Sequence, residues 1–174
     1  NIGIGRGALA NSTTGSNNIA IGRGVMSIGN VLSQNNIAIG RDSLDRLTIG
    51  ENNIAIGASV MSLSAVVGND NIAVGRDALD RATSGSNNIA IGKSIMNLRE
   101  VTGNNNLGMG ANALDRITSG FGNVAIGASV MSKGSIKGDQ NVAIGRDALD
   151  SISNGNYNVA IGLSAASSLT KGDY

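Results

Sequence analysis

Asp42 and Asp45 are the first residues whose spacing suggests chemistry. They follow Gly40 by two and five positions, and the same spacing recurs at Asp77 and Asp80 and at Asp147 and Asp150. Paired carboxylates carry out glycoside hydrolysis when one site holds them on either side of a scissile bond. Here the pair is repeated, whereas a catalytic pair needs one special place. His and Cys are both absent, so there is no imidazole base, no thiolate nucleophile and no usual zinc or copper ligand set. Asn69, Asp70 and Asp139 offer hard oxygen ligands of the kind calcium takes. The glycine- and aspartate-rich nonapeptide of calcium-binding β-rolls is missing, however. G-x-G at Gly3 and Gly5, and at Gly22 and Gly24, resembles a phosphate loop only in spelling, because no long helix or βαβ frame follows. The reading is a non-catalytic chain with no cofactor and no metal.

Composition narrows the partners. Lys plus Arg is 13 and Asp plus Glu is 12, a formal net charge of +1 over 174 residues. That balance gives no electrostatic reason to expect nucleic acid or an anionic membrane. No apolar run approaches the ~20 residues that span a bilayer. Aromatic residues make up 2% of the chain, so the core must be built from Ile, Val, Leu, Ala and Met. There is no initiating Met and no signal-peptide pattern, and the sequence opens inside a repeat. The expectation is a single domain over residues 1–174, cut from a longer fibrous protein.

What positions these residues is a repeat. Asn-Ile-Ala-Ile-Gly or a close variant starts at Asn1, Asn18, Asn36, Asn53, Asn71, Asn88, Asn106, Asn123, Asn141 and Asn158. The intervals alternate strictly between 17 and 18, so the true unit is 35 residues. Short coils carry Ala-Leu, as at Ala78-Leu79, and long coils carry an aliphatic residue before Met, as at Val60-Met61. Glycine closes each motif at Gly22, Gly40, Gly57, Gly75, Gly92, Gly110, Gly127, Gly145 and Gly162. Such breakers leave no room for the two packed helices of a helical repeat. Ile-Ala-Ile alternates with the period of a strand. The predicted fold is all-β: a parallel β-solenoid of ten coils, with strands ~4.8 Å apart and hence a rod of roughly 48 Å. A second extended or single-turn segment is expected near the Ala-Leu and Val-Met positions.

The motif then becomes a set of ladders. Residues two apart in a strand point the same way. Ile19 with Ile21, and Ile89 with Ile91, are placed inward, leaving a flat outward strip of Ala20, Ala38, Ala55, Ala73, Ala90, Ala125, Ala143 and Ala160 for packing against another subunit. The motif asparagines are expected to stack and hydrogen-bond along the rod at a corner. The motif glycines are expected to take positive φ. Arg41-Asp42, Arg76-Asp77 and Arg146-Asp147 form a surface ladder, read as a solvated corner with local ion pairs. A strip facing a ligand or receptor is the sharper alternative.

Asn36-Ile37-Ala38-Ile39-Gly40 and Asn141-Val142-Ala143-Ile144-Gly145 resemble the head repeats of trimeric autotransporter adhesins of the YadA type. The run from Ala82 to Gly92 is similar to repeats of bacteriophage tail fibres. The resemblance spans all ten coils. It implies a left-handed parallel β-roll, three chains side by side and attachment to a host surface. Head repeats of that family are shorter than these coils of 17 and 18 residues.

The functional expectation is a structural or adhesive rod segment of an extracellular fibre, on a virion or a cell surface. Its partners would be further copies of itself, as a trimer or an end-to-end filament, and a host receptor or glycan. A binding module for a flat regular surface such as ice or polysaccharide is the second reading. A glycan-cleaving tailspike is the third. The closing run from Leu169 to Tyr174 departs from the repeat pattern.

Overall fold

A computed structural model describes residues 1–29 and 31–173. Tyr174, which ends the departing run, lies outside them. Each motif forms one short strand: β1 (Ile2–Ile4), β2 (Ile19–Ile21), β3 (Ile37–Ile39), β4 (Ile54–Ile56), β5 (Ile72–Val74), β6 (Ile89–Ile91), β7 (Leu107–Met109), β8 (Val124–Ile126), β9 (Val142–Ile144) and β10 (Val159–Ile161). The ten strands make one parallel sheet in chain order. Like residues stack on like, as Ile19 on Ile37 and Ala20 on Ala38. No helix occurs among the described residues. The chain is a parallel β-solenoid.

The strands face the opposite way from the sequence expectation. Ala20, Ala38, Ala55, Ala73, Ala90, Ala125 and Ala143 are fully buried, whereas Ile39, Ile56 and Ile91 are exposed. Alternation fixes which residues share a face but not which face is inside. Space decides it here. A Cβ on Gly3, at the centre of β1, would already touch Leu9 Cδ1 and the Ala8 carbonyl at 3.5 Å. The interior behind the strand accommodates a methyl group and no more.

Two further walls fill that interior. One is the Leu and Met file, including Met26, Leu44, Met61, Leu79, Met96, Leu114, Met131 and Leu149. The other is Val31, Leu47, Val66, Ala82, Val101, Ile117, Ile136 and Ile152. The first is the predicted second segment, and it is a turn. Leu44, Met61, Leu79 and Met96 have φ of 48°, 49°, 49° and 50°, a left-handed conformation that bulky residues seldom adopt. The second wall joins its neighbours by single parallel bridges, such as Leu47 to Val66. The motif glycines take φ between 114° and 138°. A Cβ on Gly57 would meet the Gly75 carbonyl carbon and oxygen at 2.9 Å, so the expected glycine corner is present.

The alternation of coil length has a local cause. From the third coil to the fourth, the strands advance 17 residues, Ile37 to Ile54, but the bridge advances 19, Leu47 to Val66. The long coil therefore inserts two residues between strand and bridge. One is given back directly afterwards, because Gly50 packs on Gly68, an advance of 18. The long coils thus bulge at one corner, at residues such as 63–65 and 98–100.

Candidate functional site

The asparagine ladder closes the coils. Asn36 Nδ2 donates to the Gly50 carbonyl of its own coil at 2.9 Å and to Asn18 Oδ1 of the preceding coil at 3.1 Å. Its backbone N–H also donates to Asn18 Oδ1, at 3.0 Å. The same set recurs at Asn53, Asn71, Asn88, Asn106, Asn123, Asn141 and Asn158. Only an amide supplies both the acceptor and two donors at that point. Asn18, Asn36, Asn53, Asn71, Asn88, Asn123 and Asn141 are wholly buried, so this ladder is internal and makes no contact with a ligand.

The Arg-Asp ladder is a corner. Arg41 Nε lies 3.4 Å from Asp42 Oδ2, Arg76 Nε 3.5 Å from Asp77 Oδ2, and Arg146 Nε 3.6 Å from Asp147 Oδ2. These are exposed pairs of the weak class. The aspartates have φ of 55°, 58° and 60°, and their position is held elsewhere by Gly24, Ser59, Ser94, Asn112 and Ser129, all with positive φ. Short polar side chains tolerate that conformation, and this explains the carboxylates without a ligand.

The two members of each carboxylate pair have separate duties. Asp42 pairs with Arg41, while Asp45 Oδ1 accepts the Ser27 hydroxyl at 2.6 Å. Ser62 donates to Asp80 and Ser132 to Asp150 in the same manner, at 2.6 and 2.7 Å. Asp80 and Asp150 are buried. Sequence reasoning missed this Ser-Asp ladder. Its signal is the recurrence of Ser 18 residues ahead of Asp. The calcium candidates are likewise occupied by backbone and amide donors: Asn69 Oδ1 accepts from Glu51 N–H, Asp139 Oδ1 from Phe121 N–H, and Asp70 Oδ1 from Asn52 Nδ2. Among the described residues, no group of three or more acidic side chains could hold a metal ion.

Two surfaces remain available. One is the outward face of the sheet, where two files of aliphatic side chains run along all ten strands, among them Ile39, Ile56, Ile91 and Met109. The other is the bulged corner, where aliphatic residues of the long coils stand beside arginines of the short ones. Compared with protein-family models, with curated proteins and with solved structures, the chain gives no match.

Proposed function

We propose that this chain is a non-catalytic rod segment of an extracellular fibre, structural or adhesive, whose copies pack side by side through the isoleucine face. The observation that carries the reading is the inversion of the strands. Alanine fills the interior, so the larger Ile, Val and Met side chains form an outward apolar strip two residues wide and roughly 48 Å long. A continuous apolar strip of that extent marks an interaction site on a protein surface. The flanks of the strip differ in charge. Arg6, Arg23, Arg41, Arg76, Lys93 and Arg146 follow the strands and outnumber Asp42, Asp77 and Asp147 beside them, whereas Glu51, Asp70 and Asp139 precede the strands. Parallel copies arranged about a common axis set the basic flank of one against the acidic flank of the next. Antiparallel pairs set like charges together. Three copies is the number implied by the resemblance to adhesin heads.

Sedimentation equilibrium is the test. The wild-type chain is expected at three times its monomer mass, and Ile56→Lys with Ile91→Lys is expected at one. The double variant should keep its circular dichroism, because both side chains are outside the core. A wild-type monomer at micromolar concentration would remove the side-by-side rod. The same regular strip favours a second reading, a module for a flat surface with a ~4.8 Å repeat. A thermal-hysteresis assay addresses its ice-binding form.

A further inference from the structure

At the bulged corner the chain builds a rank unlike either flank of the strip. Ile28, Leu63, Leu98 and Lys133 donate their N–H groups to the carbonyls of Asp45, Asp80, Asp115 and Asp150, at 2.8 to 2.9 Å. These bonds fix Ile28, Leu63 and Leu98 beside Arg46, Arg81 and Arg116. The arginine main chains are held from the following coil, where Val66, Val101 and Ile136 donate to their carbonyls. The corner therefore carries three side-by-side pairs, one every two coils: Ile28 with Arg46, Leu63 with Arg81 and Leu98 with Arg116. All six side chains are exposed. Unlike Arg41, Arg76 and Arg146, the three arginines form no ion pair among the described residues.

Spacing gives this rank its specificity. The arginines recur every 35 residues, two coils, and so stand ~9.6 Å apart. An aliphatic residue stands beside each of them. Two surface depressions lie on this corner. One is lined by residues 10–13 and Ile28. The other is lined by Arg81, Leu98, Arg99, Glu100, Thr102 and Thr118. Around the second, two guanidinium groups outweigh one carboxylate, while the Thr102 and Thr118 hydroxyls donate to the Thr118 and Ile136 carbonyls and keep their oxygens as acceptors for sugar hydroxyls.

We infer that this corner binds an extended acidic glycan laid along the rod, with one anionic group per disaccharide. An extended disaccharide is about as long as one two-coil step, so each Arg meets one anion. Guanidinium suits that role because it binds carboxylate in a planar, two-pronged way. Leu63 and Leu98 then lie under the apolar faces of the sugars. The inference rests on the adhesive half of the proposed function and names its ligand class.

Calorimetric titration with hyaluronan oligosaccharides, which carry one carboxylate per disaccharide, tests it. Binding is expected for the wild-type chain and absent for neutral cellulose oligosaccharides. Arg46→Gln, Arg81→Gln and Arg116→Gln together should weaken binding about tenfold, as three exposed pairs of roughly 0.5 kcal/mol each would give. Arg41→Gln, Arg76→Gln and Arg146→Gln remove the same charge from the other rank and should leave binding within about twofold. Leu63→Asp with Leu98→Asp gives an independent loss without touching the core. Failure of the wild type to bind hyaluronan, or equal losses in both arginine triples, would overturn the inference. Sedimentation of the same samples separates loss of the glycan site from loss of the rod.

Discussion

Ile95 Cγ2 stands 2.7 Å from the place a Cβ on Gly108 would occupy. Both positions are exceptions in their files. The long coils carry Val25, Val60 and Val130 where Ile95 stands, and the strand centres from Ala20 to Ala160 are otherwise alanine where Gly108 stands. Ile95 adds one carbon to the core of the sixth coil, and Gly108 omits one from the seventh. The two deviations meet across a single strand step: a valine would keep a methyl at the Cγ2 position but lose the Cδ1 that limits where that methyl can sit.

A double-mutant cycle should expose that coupling. Gly108→Ala alone overfills the core and is expected to cost about 1–3 kcal/mol. Ile95→Val alone leaves a gap and should cost about 0.5–1.5 kcal/mol. Together they restore the arrangement of the other coils, so the double variant should lie within about 0.5 kcal/mol of the wild type. Urea unfolding of the four proteins gives the coupling energy directly. Strictly additive losses would mean that the two residues do not share this space.

The repeat, the strands and the asparagine ladder could all be read from the sequence, because each is a matter of period. A stack of coils puts Asn36 on Asn18 whatever the coil's shape. The facing of Ile19 and Ala20 could not be read so. It depends on how far Met26 and Leu44 reach across the interior, and those residues adopt left-handed turns that composition does not announce. The bulge of the long coils was visible only as an extra residue, since its two insertions are masked by one deletion. The Ser-Asp ladder is not legible from residue type alone, because Asp45, Asp80 and Asp150 spell a paired-carboxylate pattern with Asp42, Asp77 and Asp147 and nothing in the sequence marks Asp80 and Asp150 as buried.

Asn88 offers a test of the ladder well away from both ends. Its Oδ1 accepts the Asn106 backbone N–H and Nδ2 at 3.0 Å, and its Nδ2 donates to the Gly103 carbonyl at 2.9 Å. Asn88→Ala strands buried donors and an acceptor at once, each costing about 1–3 kcal/mol when left unmet. A total loss of about 3–5 kcal/mol is expected in urea unfolding. Asn154→Ala, at an exposed position, should change stability by less than about 0.5 kcal/mol. Because a solenoid is stabilised by nearest-neighbour contacts, limited proteolysis of Asn88→Ala should cut first in the coils on either side of residue 88. Cleavage confined to the ends would contradict that view of the ladder.

Asn97 occupies the place that Ser27, Ser62 and Ser132 hold in the other long coils, and Asp115 the place of Asp45, Asp80 and Asp150. There the pattern breaks: Asn97 Oδ1 and Asp115 Oδ1 are both buried without a hydrogen bond. Burial raises the Asp115 pKa above the ordinary carboxylate value, against the lowering pull of the Asn97 backbone N–H and the Arg116 charge. The folded state therefore holds this proton more tightly than the unfolded chain does. The group's stabilising contribution is full below the unfolded pKa and is lost as pH rises through the folded one. At neutral pH the ionised carboxylate is a liability. Asn97→Ser supplies the missing hydroxyl donor, and stability at pH 7 should rise by about 1 kcal/mol. The gain should shrink toward pH 3, where the wild-type carboxyl is protonated and no longer burdens the fold. Urea midpoints at the two pH values measure both effects, and an equal change at each would show that the unmet Asp115 oxygen is not their source.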